Sequence, residues 1–308
     1  MTFPHPRIGL ALGSGSARGW SHIGVIRALE RAGISPDIVC GTSIGAVVGA
    51  AYADERLDRL EAWVRNLTWQ AVVGLIDFTI DGGLIEGGKL LAFFRSHFED
   101  KDITRLPKIY GAVATELLTG REVWLREGSI VDAVRASMAL PGLFTPAWLG
   151  GRLLVDGALV NPVPVSLCRA MGADIVIAVD LNWDLMGRPL QKPAEVTAQP
   201  EQTGAFASLL GKLPFALGRL KSGPATSMAM PSILDVLSIS LNIMQVRITR
   251  SRLAGEPADV MIRPRLYDFA LMDYHRAAPA IAEGQRATEL ALPELKQLIG
   301  TAVPARQP

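Results

Sequence analysis

Residues 37–53 read DIVCGTSIGAVVGAAYA. Residues 37–40 have the apolar, β-branched character of a strand, and residues 44–52 have that of a buried helix. Between them stands Gly41-Thr42-Ser43-Ile44-Gly45, a G-x-S-x-G placed directly from strand to helix. Its glycines permit a tight, strained turn that lifts the Ser43 hydroxyl clear of the backbone. The helix begins at that serine, so its free N–H groups favour developing negative charge. Ile38 to Ala53 is uncharged for sixteen residues. A membrane span needs about 20 apolar residues, so strand, sharp turn and helix explain this run better.

Upstream, residues 7–12 (RIGLAL) read as a short buried strand and Gly13 to Gly19 as a loop. Residues 20–32 read as a helix, with Ile23, Ile26 and Leu29 at three-residue spacing and Gly33 as the stop. Strand, loop, helix and strand within about 35 residues make a βαβ unit and a parallel sheet. Downstream, helices are expected at 55–66, 87–98, 129–139, 164–171, 232–252 and 279–299. Strands are expected at 108–115, 121–126, 174–181 and 258–262. Residues 152–160 read as strand, turn, strand around Asp156-Gly157. Six prolines between Pro189 and Pro231 mark a surface excursion at about 187–230. Pattern resumes after it, so the excursion interrupts one domain over 7–299, with 300–308 as a flexible tail.

Of the 308 residues, 49% are hydrophobic and the formal net charge is +1. The balance opposes nucleic-acid binding, which favours a strongly basic face. Cys40 and Cys168 sit in apolar stretches and suit a reduced, cytoplasmic compartment. No targeting segment is expected at the start, where glycine interrupts the apolar residues too early for a secretory leader.

Three elements carry chemistry. Ser43 is the first. The second is Gly13-Ser14-Gly15-Ser16-Ala17-Arg18-Gly19, whose small residues let backbone N–H groups approach an oxyanion or a phosphate. Its G-x-G-x-x-x-G spacing departs by one from the dinucleotide fingerprint, and no acid ends the second strand. The third is Asp156-Gly157-Ala158. A carboxylate held at a strand end is raised in pKa by burial and becomes a better base, although Asp-Gly by itself is a common turn. The four histidines are His5, His22, His97 and His275. None has a triad-like context, and His22 reads as structural. No metal or cofactor is implied.

In this order the elements resemble the patatin-like phospholipases, closest to bacterial members related to the catalytic domain of neuropathy target esterase. The family's blocks stand here as Gly13–Gly19 with Arg18, Gly41–Gly45, Ala136-Ser137-Met138-Ala139-Leu140-Pro141, and Asp156-Gly157-Ala158. The resemblance covers about 7–182 and 232–265. It implies an α/β fold, a three-layer α/β/α sandwich on a mostly parallel sheet. It further implies a serine lipid acyl hydrolase with a Ser43–Asp156 dyad and no cofactor. Ser14, Gly15 and Ser16 would supply oxyanion N–H groups, with Arg18 supporting the loop. Gly13, Gly19, Gly41, Gly45, Gly157 and Ala158 would shape the turns, and Ser137 and Pro141 the floor. Serines replace two of the family's glycines at positions 14 and 16. The competing functions are an acyltransferase with a similar elbow and a membrane-surface regulator with an idle site. Residues 204–222 hold Lys212, Arg219, Lys221 and no acid among apolar residues, so they suit an anionic membrane surface. A cytoplasmic protein peripheral to the inner face of a membrane is the expectation.

Overall fold

The computed structural model describes residues 5–74, 99–141, 143–186 and 233–302. The expected helix at 87–98 with His97, and the 187–230 excursion with its basic segment 204–222, lie outside the described residues. An eight-stranded sheet runs through the molecule. Its strands are β1 (Ile8–Leu12), β2 (Ile38–Thr42), β3 (Ile109–Glu116), β4 (Glu122–Leu125), β5 (Ala147–Leu149), β6 (Arg152–Asp156), β7 (Ile175–Val179) and β8 (Val260–Ile262). The order is β5-β6-β3-β2-β1-β7-β8, with β4 on the other edge of β3. Strands β3, β2, β1, β7 and β8 are mutually parallel, and β4, β5 and β6 are antiparallel additions.

Helices cover both faces. They are α1 (Ser21–Arg31), α2 (Ile44–Ala53), α3 (Leu57–Arg65), α4 (Trp69–Gly74), α5 (Ile130–Ser137), α6 (Val165–Ala170), α7 (Ile233–Gly255) and α8 (Ala277–Ala302). The central strands are apolar on both sides because both faces are buried. Leu10, Leu12, Ile177 and Val179 point into a core shared with α1, α2, α5 and α8. The alternate residues Ala11, Val176 and Ala178 point into a smaller core with Val165, Leu167 and Cys168 of α6. The side-chain period of two in each strand thus sorts one sequence into two layers. The result is the three-layer α/β/α architecture.

Helix α8 lies backbone to backbone against α1. A Cβ on Gly24 would meet the Ile281 carbonyl oxygen at 1.9 Å, and one on Gly284 would meet the Ser21 carbonyl oxygen at 1.9 Å. The reciprocal glycines explain how a C-terminal helix docks beside the first loop of the chain.

Three sequence expectations change. Residues 157–160 are not a second strand: Gly157–Leu159 is a 3-10 turn, because the Asp156 carboxylate accepts the Ala158 N–H at 2.8 Å and caps it. The short α4 and β5 carry too few residues to show a period and are absent from the sequence reading. Helix α8 continues through 300–302, the start of the expected tail.

Candidate active site

The meeting of Ser43 and Asp156 follows from strand register. Val113 of β3 pairs with Thr42 of β2 on one side and Trp124 of β4 on the other. The next residue, Ala114, pairs with Asp156 of β6 and Val123 of β4. Since β4 holds one edge of β3 at both positions, β2 and β6 share the opposite edge. They run toward each other along it, and their C-terminal residues Thr42 and Asp156 occupy consecutive places. Ser43, one residue beyond Thr42, then donates its Oγ–H to Asp156 Oδ2 at 2.6 Å.

The elbow is held from several directions. Ser43 has φ 57° and ψ −123°, a left-handed conformation that a non-glycine residue adopts only when its surroundings impose it. Its N–H donates to Ser137 Oγ at 2.9 Å, and that hydroxyl donates to the Val113 carbonyl at 2.6 Å. Ser137 therefore ties the turn to β3, a closer role than the floor that the sequence suggested. Gly45 lies so near β1 that a Cβ would stand 2.1 Å from the Leu12 carbonyl oxygen. Gly41 faces the first turn of α2. On the β6 side, Thr115 Oγ1 donates to the Asp156 carbonyl at 2.8 Å, and the Asp156 N–H donates to Ala139 O at 2.9 Å. Gly157 passes directly over the Val113 carbonyl.

Asp156 is 1% exposed. Burial pushes its carboxyl up to about 7, against the hydrogen bonds from Ser43 and Ala158 that favour the ionised form. A carboxyl near neutrality is a far better proton acceptor than one at its ordinary value.

The 13–19 loop lines the same cavity as Ser43 and Asp156, through Ser14, Gly15, Ser16 and Arg18. Here one expectation is corrected. The Ser14 N–H is already given to the Pro162 carbonyl at 2.9 Å, so it is not free for an oxyanion. Among the described residues the N–H groups of Gly15 and Ser16 have no partner. Two of the three expected donors remain. Gly13 begins the loop, its N–H bonded to Val179 O, and Gly19 packs on Ile44 at the head of α2. Arg18 is 3% exposed and reaches Asn242 Oδ1 of α7 at 3.4 Å. Burial lowers its guanidinium to about 10, against the fields of Asp184, Tyr274 and Asp180, so it stays charged at neutral pH.

The far wall comes from chain that the sequence reading left unused. Leu241, Asn242 and Gln245 of α7, with Leu271 and Tyr274, complete the cavity. Ser16 Oγ donates to the Leu271 carbonyl at 2.7 Å and so accepts from the Tyr274 hydroxyl at 2.8 Å. Burial raises the Tyr274 phenol. His275 is exposed and stacks edge-on with Trp69 at 5.7 Å between centroids.

His22 is fully buried behind the loop, with Nε2 2.7 Å from the Gly13 carbonyl. An acceptor there requires Nε2 to carry the proton. Nδ1 is buried and has no partner among the described residues. Burial lowers this imidazole to about 4, against the Gly13 hydrogen bond. Below the ordinary 6.5 the unfolded chain takes up a proton that the native state refuses. His22 therefore stabilises the fold fully above that value, and its contribution falls away as pH drops toward about 4. The parent is expected to lose on the order of 3 kcal/mol over that window relative to His22→Gln. Urea unfolding of both proteins at the two ends of the window measures it; equal pH slopes would refute the assignment.

A family model described as Patatin-like phospholipase matches residues 10–169. An uncharacterized NTE family protein of Mycobacterium tuberculosis is 34% identical across 93% of this chain and 91% of its own length. Patatin-like phospholipase domain-containing protein 6 of Homo sapiens is 38% identical over 183 residues, which are 57% of this chain and 13% of that protein. The solved structure of VipD from Legionella pneumophila aligns at a TM-score of 0.44 and 15% identity, covering 95% of this chain and 67% of that one.

Proposed function

The chain belongs to the patatin-like phospholipase family, and from that premise we propose that it is a serine lipid acyl hydrolase with Ser43 as nucleophile and Asp156 as base. The observation that carries this reading is the 2.6 Å hydrogen bond between the elbow serine and a buried carboxylate. The family's general activity, hydrolysis of lipid esters, supplies the reaction class.

The chemistry follows from the geometry. Ser43 Oγ attacks the ester carbonyl while its proton passes to Asp156 Oδ2. The carbonyl oxygen becomes an oxyanion, and the free N–H groups of Gly15 and Ser16 are the donors nearest to hand in the loop. Collapse of this intermediate expels the alcohol, which takes the proton back from Asp156. The acyl-serine is then hydrolysed by water, with Asp156 again accepting the proton. No imidazole is needed, because the carboxylate touches the nucleophile directly. Arg18 and the Tyr274 hydroxyl hold the loop and are positioning residues.

The test is a panel of phospholipids, lysophospholipids and short p-nitrophenyl esters, read across pH. Asp156 must be ionised to act, and its carboxyl titrates near 7. Hydrolysis is therefore expected to gain about tenfold in kcat/KM for each pH unit up to that point and to level off above it. No turnover of any ester, with no fluorophosphonate labelling of Ser43, would defeat the proposal. A pH profile flat from about 5 to 8 would remove Asp156 as the base.

A further inference from the structure

Two hairpins carry the sheet past the level of the nucleophile. Strand β3 is parallel to β2 and pairs Val113 with Thr42, so its later residues lie beyond the strand end that bears Ser43. At about 3.4 Å per residue, Leu117 stands roughly 13 Å farther along the strand axis. The β5–β6 hairpin lies beside it. The Leu117 N–H donates to the Leu153 carbonyl at 2.8 Å, and Leu153 pairs with Trp148. Residues opposite one another on paired strands share a face. Leu117, Leu153 and Trp148 thus form one apolar row across three strands. Both ends of the row are open, with Trp148 72% and Leu117 44% exposed, and Leu118 in the adjoining turn is 84% exposed.

Charge accompanies this apolar tip. Arg121 and Arg152 at the two tips are exposed, and among the described residues neither makes an ion pair. Glu122, next to Arg121 in sequence, is already paired with Arg252 at 2.6 Å. The two arginines outnumber the remaining acid of the tips, Glu116. Exposed apolar residues grouped beside unpaired positive charge mark a surface that meets a partner.

We propose that the β3–β4 and β5–β6 hairpin tips dock on an anionic lipid bilayer. Trp148 and Leu118 enter the headgroup boundary, where a tryptophan ring is favoured, and the arginines meet lipid phosphates. The placement is functional, because the tips stand on the carboxyl-end side of the parallel strands, where the cavity with Ser43 also lies. Docking there brings the cavity to the layer that holds its substrate; this purpose rests on the reading of the chain as a lipid acyl hydrolase.

The experiment uses the full chain with vesicles of phosphatidylcholine, with and without phosphatidylglycerol. Two variants are compared with the parent, R121Q/R152Q and L118S/W148S, alongside hydrolysis of a short soluble ester. The parent is expected to sediment with the anionic vesicles. The arginine variant should bind them about 30-fold more weakly at low salt. The apolar variant should lose at least about tenfold. Both should retain soluble-ester turnover and thermal stability, since the altered side chains are exposed. Failure of the parent to sediment, or equal sedimentation by all three proteins, would overturn the docking surface. A parent dimer that these substitutions dissociate, with vesicle binding unchanged, would assign the tips to a second copy instead. If sedimentation behaves as expected and no ester is turned over, the docking surface stands and the hydrolase reading falls.

Discussion

Ser43→Ala and Asp156→Asn are each expected to lose at least about 10³ of ester turnover, and the double variant little more than either. The two side chains act as one unit. Without the carboxylate, the Ser43 hydroxyl loses, among the described residues, the acceptor for its proton; without the hydroxyl, the carboxylate has nothing to activate. Residual turnover would come from the Gly15 and Ser16 N–H groups and from binding alone. Asp156→Asn should at the same time stabilise the fold at higher pH. Its folded carboxyl titrates near 7 and its unfolded one near 3.8. A raised folded value means that the native state is favoured below 3.8 and loses that advantage as pH rises through 7. An uncharged amide escapes the loss, by on the order of 4 kcal/mol. Burst kinetics with a short ester and urea unfolding above neutrality read the two effects separately. Near-parental turnover by either folded variant would remove the dyad.

Gly45→Ala is expected to cost about 3 kcal/mol or more and to depress turnover beyond what partial unfolding explains. The added methyl would stand 2.1 Å from the Leu12 carbonyl oxygen and 2.8 Å from that of Gly13. These are backbone atoms of β1 and the 13–19 loop, and they cannot rotate aside. Helix α2 must lift off the sheet, and Ser43 at its head moves with it. Gly49 supplies the control one turn later. A Cβ there would meet Val39 Cγ1 at 3.2 Å and Tyr110 Cε2 at 3.4 Å, side-chain atoms with room to adjust. Gly49→Ala also gains about 1 kcal/mol of helix propensity, so the net change should be small. Thermal unfolding of the two variants in parallel decides the point, and equal midpoints would show that the close approach at Gly45 carries no special cost.

The local elements of the site were legible because each is short-range chemistry. Gly41 and Gly45 bracket a serine between a strand and a helix, a pattern that demands a tight turn. Asp156 followed by glycine marks a carboxylate at a strand end, although the 3-10 turn that it caps was read as more strand. That error has a plain cause: Ala158, Leu159 and Val160 are apolar, and apolar character alone does not separate a strand from a buried turn. The far wall stayed hidden for a different reason. Leu271 and Tyr274 sit in an aperiodic stretch about 230 residues from Ser43, and the Gly24–Gly284 crossing of α1 and α8 with the bonds from Ser16, Ala17 and Trp20 brings that stretch to the first loop.

By itself the sequence determined the βαβ start, the parallel order of its first strands, the elbow serine and the loop that faces it. These follow from periodicity, glycine placement and the chemistry of strand ends, all local. The tertiary structure alone decided that Ser43 and Asp156, 113 residues apart, share a hydrogen bond. That depends on β2 and β6 entering one edge of β3 from opposite ends and stopping at Val113 and Ala114. A shift of one residue in either register would turn a side chain to the other face and part the pair. Register between distant strands is fixed by the packing of both sheet faces at once. The structure alone also decided that the Ser14 N–H is given to Pro162, leaving the loop two free donors, because that bond joins segments whose meeting no local pattern encodes.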